Sequence, residues 1–201
     1  MPSDLSAILL AAGKSTRMGH CKQLLPLAGQ PTIVRCIQTL VAAGITDIVV
    51  VTGANRDAIA AAIGHLPVRM VVNPDPDGDM ASSVMTGLEA APEYCRGVMI
   101  CLADQPLVSV ESCRRLLEQH GAAPGQIAIP FFEGKRGHPL VLPLSMAAEL
   151  ETGVTLRDII SRHQDRVQLV EVSDRGVLLD MDTPEDYRLM QEAVTTVDRC
   201  N

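Results

Sequence analysis

Short apolar, β-branched runs alternate with longer stretches of helical period along this chain, and that alternation constrains its fold more than any other feature. Residues 6–10, 47–52, 68–72, 97–102, 127–131, 140–142 and 167–172 read as strands, with 177–180 as a further short one. Helical patterns cover 31–43, 55–63, 80–91, 110–120, 144–150, 156–163 and 184–194. The first of these has Pro31 in its opening turn and Gly44 just past its end. Asn73-Pro74-Asp75-Pro76-Asp77-Gly78 and residues 133–138 read as loops. Runs as uniformly apolar as 47–52 belong to strands covered on both faces, so the sheet is expected to be mostly parallel, with helices on either side. Right-handed crossovers then give one three-layer, Rossmann-like α/β domain spanning residues 1–201. In such a sheet ligands bind outside the carboxyl ends of the strands, so the loops there are the ones to search.

The 201-residue chain is 47% hydrophobic but only 2% aromatic, so its core must be aliphatic and it lacks rings on which single-stranded nucleic acid could stack. A formal net charge of -7 argues against duplex nucleic acid as well. The charge is uneven: no acid falls between Asp4 and Asp47, whereas Lys14, Arg17, Lys22 and Arg35 do, a distribution suited to a small anion. Six cysteines form no C-x-x-C pair and no zinc spacing, and several sit in apolar runs as small hydrophobes. With no signal segment and no membrane-length apolar stretch, the expectation is a cytoplasmic protein that meets no membrane.

The first strand runs into Leu10-Ala11-Ala12-Gly13-Lys14-Ser15-Thr16-Arg17-Met18-Gly19, with Lys22 close behind. Small residues let backbone amides approach phosphate oxygens, Arg17 offers a planar fork of donors and Lys22 a point charge. A P-loop is excluded because Ile8 stands where its first glycine belongs, and Ser15 and Met18 break the dinucleotide fingerprint. A plain strand-to-helix turn is the competing reading. The fourth long strand ends in Leu102-Ala103-Asp104-Gln105-Pro106, placing Asp104 at the binding edge, as a ligand for a hard cation or as a helix cap. Asp180-Met181-Asp182-Thr183-Pro184-Glu185-Asp186 opens the last helix, which Asp182 or Thr183 can cap.

The glycine-rich stretch resembles the signature of the nucleotidyltransferases related to the molybdenum cofactor cytidylyl- and guanylyltransferases, and the later motifs match in order over the whole chain. The resemblance implies a nucleoside triphosphate held by Leu10, Ala11, Ala12, Gly13, Lys14, Ser15, Arg17 and Lys22, with Arg17, Lys22 and Asp104 catalytic. It implies Mg²⁺ on Asp104, with Asp182 as a second ligand and Asp180 less certain. Asn55, Asn73, Ser82 and Ser83 fall in segments that touch nucleotide in similar enzymes, although Asn55, Ser82 and Ser83 suit helix caps equally well. Arg136-Gly137-His138-Pro139 resembles the family's acceptor-facing loop, making His138 a candidate for the acceptor. Ala12 follows the cytidylyl branch, where the guanylyl branch has glycine. The expected activity is transfer of CMP from CTP to the terminal phosphate of molybdopterin, with a molybdoenzyme or its chaperone downstream. A guanylyltransferase, a cytidylyltransferase of another phosphorylated metabolite, or a non-catalytic cofactor carrier are the alternatives.

Overall fold

The computed structural model describes residues 4–13, 18–75 and 78–198. Its strands are β1 (Leu5–Ala11), β2 (Pro26–Leu27), β3 (Gln30–Pro31), β4 (Ile48–Thr52), β5 (Arg69–Val72), β6 (Gly97–Leu102), β7 (Ile127–Phe132), β8 (Lys135–Arg136), β9 (Leu140–Pro143) and β10 (Val167–Glu171). Its α-helices are α1 (Thr32–Ala43), α2 (Arg56–Ile63), α3 (Met80–Glu89), α4 (Val110–Ala122), α5 (Leu144–Ala147), α6 (Leu156–Arg162) and α7 (Pro184–Asp198). One eight-stranded mixed sheet runs β10-β7-β9-β6-β1-β4-β5, with β8 paired to β7. The β1–β4, β1–β6, β4–β5 and β7–β10 pairs are parallel, and β9 is antiparallel to both β6 and β7.

The period of two along β1 sorts its side chains between the layers. Leu5, Ala7, Leu9 and Ala11 join the core under α1, α2 and α4, and Ile8 joins the core under α3, α5 and α6. Gly87 on α3 lets that helix press onto Ile8: a Cβ there would sit 2.4 Å from Ile8 Cγ2. A third cluster, Leu27, Met181, Met190 and Val194, fastens α7 to the β2–β3 ribbon. The chain builds outward from β1 through β4 to β5, then returns to β6 on the other side of β1. That reversal opens a crevice between the carboxyl ends of β1 and β6, the position where open α/β sheets bind ligands.

The structure departs from the sequence expectation in four places. Residues 177–180 are not a strand: a 3-10 turn covers Arg175–Leu178, capped by Asp174, whose carboxylate accepts from Gly176 N at 2.8 Å. Gly176 packs where a Cβ would lie 2.2 Å from Leu107 O, leaving no room for a partner strand. Residues 133–138 are partly ordered as a β7–β8 hairpin, its turn made by Glu133 (φ 46) and Gly134 (φ 82). The helix expected over 144–150 ends at Ala147, because Glu149 N and Leu150 N bond three residues back (3.1 Å each) and tighten the chain out of α register. The ribbon β2–β3, joined through Ala28 and Gly29 at positive φ, was not expected at all.

Candidate active site

Lys22 opens a 3-10 turn, Lys22–Leu24, whose carbonyl at Lys22 accepts from Thr32 Oγ1 at 2.8 Å. That bond ties the turn to the first residue of α1 and aims the Lys22 side chain at the crevice. Lys22 Nζ donates to Asp104 Oδ2 at 2.5 Å and to Asp182 Oδ1 at 2.8 Å. Burial works against the ammonium, but the two carboxylates outweigh it and the lysine pKa is raised. Asp104 Oδ1 is buried and takes no hydrogen bond among the described residues.

The return of the last acidic motif follows from one backbone bond. Met181 N donates to Asp104 O at 2.9 Å, and the Met181 side chain is fully buried beneath α7. Asp180 and Asp182, one residue to either side, are thereby held close to Asp104. Asp182 reaches Lys22, whereas Asp180 Oδ1 accepts from Gln105 Nε2 at 2.7 Å. Burial raises the Asp180 pKa, reinforced by the charges of Asp104 and Asp182 and opposed by the Gln105 hydrogen bond. Helix α7 needs neither aspartate as its cap: Thr183 Oγ1 and the Asp186 carboxylate cap it reciprocally.

Beside this cluster lies a cleft of about 400 Å³, walled by Leu10 on β1, Ala12 and Gly13 just after it, Gly53 and Ala54 after β4, Asn73 and Asp75 after β5, Ser83 on α3, and Asp104. Its size falls in the range of small-ligand sites. Gly53 is needed for close approach, since a Cβ there would lie 2.9 Å from Ala12 O. Asn73 is 5% exposed and fixes the far wall: Nδ2 donates to Ser83 Oγ at 3.0 Å, and Oδ1 accepts from Asp75 N at 3.0 Å and Ser82 Oγ at 3.2 Å.

Of the residues singled out from sequence, Leu10, Ala12, Gly13, Asn73, Ser83 and Asp104 line the cleft, and Lys22 and Asp182 adjoin it through Asp104. Ala11 turns its side chain into the core, leaving only backbone for a ligand. Ser82 stands behind Asn73. Neither serine caps α3; Asp79 does, accepting from Ser82 N at 2.9 Å. Asn55 is outside the cleft wall, and its side chain makes no cap on α2. Asp104 does not cap α4, whose cap is Ser109. His138 is held by its backbone N, which donates to Val177 O at 2.9 Å. Burial lowers its imidazole pKa, against the pull of Asp180 and Asp104. Lys14, Ser15 and Arg17 lie outside the described residues. Sequence reasoning missed Gly53, Ala54, Asp75 and Gln105, all of which sit just past strand ends, where the carboxyl-edge rule directs attention.

Cys21, Cys36, Cys95, Cys101 and Cys113 are free thiols, and burial pushes Cys36 and Cys113 up to about 12. They form no nucleophilic centre. Among the described residues no three His, Cys, Asp or Glu side chains converge to hold a metal by themselves, and no helix is long and apolar enough to cross a membrane. The arrangement is therefore an anion-sized cleft with a cation and two carboxylates at its mouth.

A family model described as the MobA-like NTP transferase domain matches residues 7–167. The chain is 32% identical over 199 residues to the nicotine blue oxidoreductase of Paenarthrobacter nicotinovorans, covering 92% of this chain and 96% of the relative. Among solved structures, a nucleotidyl transferase from Methanothermobacter thermautotroptrophicus superposes with a TM-score of 0.84 at 24% identity, covering 96% of this chain and 98% of that one. Rv0371c from Mycobacterium tuberculosis H37Rv, solved in complex with manganese, has a TM-score of 0.75 at 25% identity, with 94% and 98% of the two chains covered.

Proposed function

Since the chain belongs to the MobA-like NTP transferase family, we propose that it transfers CMP from CTP to the terminal phosphate of molybdopterin and releases pyrophosphate. The observation that carries this reading is the Lys22 ammonium bridging Asp104 and Asp182 at the mouth of the nucleotide-sized cleft. In the reaction an oxygen of the acceptor phosphate bonds to the α-phosphorus, the α–β bridging P–O bond breaks, and its electron pair leaves with pyrophosphate. The nucleophile is already anionic, so no residue has to remove a proton. The protein's task is to align two anions and stabilise the charge between them.

Ala12, Gly13 and Gly53 let the nucleotide lie against backbone, with Ser83 and Asn73 at the base end of the cleft. Lys14, Ser15 and Arg17, on the same turn in sequence, are assigned to the phosphates. Lys22 supplies charge next to the reacting phosphorus. The donor set also fits a divalent ion: among the described residues Asp104 has a buried oxygen with no hydrogen-bond partner, and Asp182, half-exposed, shares the Lys22 ammonium with it. Mg²⁺ is held by one or two carboxylates together with substrate phosphates, so Asp104 and Asp182 are the residues that would hold it. When bound it would neutralise phosphate oxygens. The manganese bound to Rv0371c supports a divalent ion in this family. His138, close enough to Asp180 and Asp104 to feel their charge, is assigned to the acceptor side.

Ala12 narrows the cleft beside Gly53, which supports a pyrimidine over a purine. The test is pyrophosphate release with each nucleoside triphosphate, magnesium and molybdopterin. CTP should be preferred, and Asp104→Asn should lower turnover on the order of a hundredfold or more. Equal turnover of GTP would overturn the base assignment. A fully functional Asp104→Asn protein would replace the transferase reading with a non-catalytic cofactor carrier.

A further inference from the structure

A second cavity, of about 770 Å³, opens on the other side of the Asp104-Gln105-Pro106 turn. Asp104 walls the first cleft and Pro106 the second, while Gln105 between them holds Asp180, which lines the second. The carboxylate cluster therefore stands between the two spaces. The 400 Å³ cleft suits one nucleotide, so a second reactant needs a chamber of its own that ends at the same phosphorus.

The chemistry of this chamber is amphipathic. Leu107, Leu179, Met190 and Ala193 give it apolar walls. Its acids are already engaged. Asp174 accepts from Ser109 N and Ser112 Oγ, Asp186 caps α7, and Asp180 accepts from Gln105. Arg35 is the exception: among the described residues its Nε is buried and has no hydrogen-bond partner. A buried donor of this kind calls for an acceptor oxygen.

We infer that this cavity receives the body of the acceptor substrate. That body is a flat heterocycle whose faces lie between Leu107, Leu179 and α7, with a ring carbonyl oxygen accepting from the Arg35 guanidinium. Its phosphate end reaches past Asp180 to the Lys22–Asp104–Asp182 cluster. The inference rests on the transferase reading above.

The test uses the full chain and two probes. The first is 1-anilinonaphthalene-8-sulfonate, which joins an aromatic body to one anionic group, followed by fluorescence titration. The second is molybdopterin in the pyrophosphate-release assay. Ala193→Trp fills the chamber from the exposed face of α7, and Arg35→Ala removes the donor. Each should weaken dye binding and raise the molybdopterin KM about tenfold or more. Magnesium–CTP affinity, measured by calorimetry, should stay within about twofold, which also shows that the variants fold. Dye binding that neither substitution moves, or an unchanged molybdopterin KM in active variants, overturns the inference. Loss of a dimer on Ala193→Trp with KM unmoved also overturns it and gives the groove to a second copy of the chain. If the wild-type chain releases no pyrophosphate with molybdopterin, the transferase reading falls, and the dye titration still decides whether the chamber binds an amphipathic anion.

Discussion

Lys22 shows how one side chain can be both structural and chemical. Its side chain is 11% exposed, so its charge acts on Asp104 and Asp182 through little water. Lys22→Ala removes the positive charge that bridges Asp104 and Asp182 and should weaken magnesium–CTP binding by about tenfold or more. Calorimetric titration decides it, and an unchanged affinity would remove Lys22 from the nucleotide site. The sequence made Lys22 and Asp104 visible because one follows a glycine-rich turn and the other ends an apolar strand. It favoured Asp182 over Asp180 only through the family resemblance, since both flank Met181 in the same way and only the tertiary fold sends one to Lys22 and the other to Gln105. Asn55 illustrates the converse. Its place after a strand suggested a helix cap, but the helix behind it starts without using its side chain.

At the level of elements, the buried strands were readable because a parallel sheet leaves long apolar runs in sequence. Two-residue strands leave no such run, which is why β2, β3 and β8 emerged only in three dimensions. The segment 177–180 was misread because the turn that takes in its start is set by what it packs on, Leu107 and Gly137, and not by its own pattern. Gly137 is the clearest case: a Cβ there would lie 2.3 Å from Val177 O, a backbone atom with little freedom to retreat. Gly137→Ala should therefore push the β8–β9 connection away from the 3-10 turn and cost about 1–3 kcal/mol. Urea denaturation measures it, and a loss below about 0.5 kcal/mol would show that the two loops are not wedged together.

Across the whole molecule, acid should be the condition that loosens it first. His120 is 2% exposed, among the described residues neither ring nitrogen has a hydrogen-bond partner, and the Asp4 carboxylate lies 3.7 Å away. Burial lowers its pKa against the pull of Asp4, and His138 is shifted the same way. The unfolded chain, with histidines near 6.5, then binds protons more readily than the folded one. Stability should be full above about pH 6.5 and fall as pH drops through the depressed folded values. Lys22 works at the other end: its contribution persists through neutral pH and is lost only as pH rises through its raised value. Urea midpoints at about pH 8, 6.5 and 5.5 test this, with His120→Gln expected to flatten the acid limb. The same slope in both proteins would clear His120 of the effect.

The lysine wedged between two acids has a consequence for how the protein is loaded. Any positive visitor to that spot must out-compete a resident charge on a tether, one that cannot diffuse away. A bare doubly charged ion dialysed against the protein has little to offer in exchange, whereas one riding on a polyphosphate brings a new counterpart for the displaced ammonium. On the proposed reading the tether would favour an ion that arrives with its polyphosphate over a bare one.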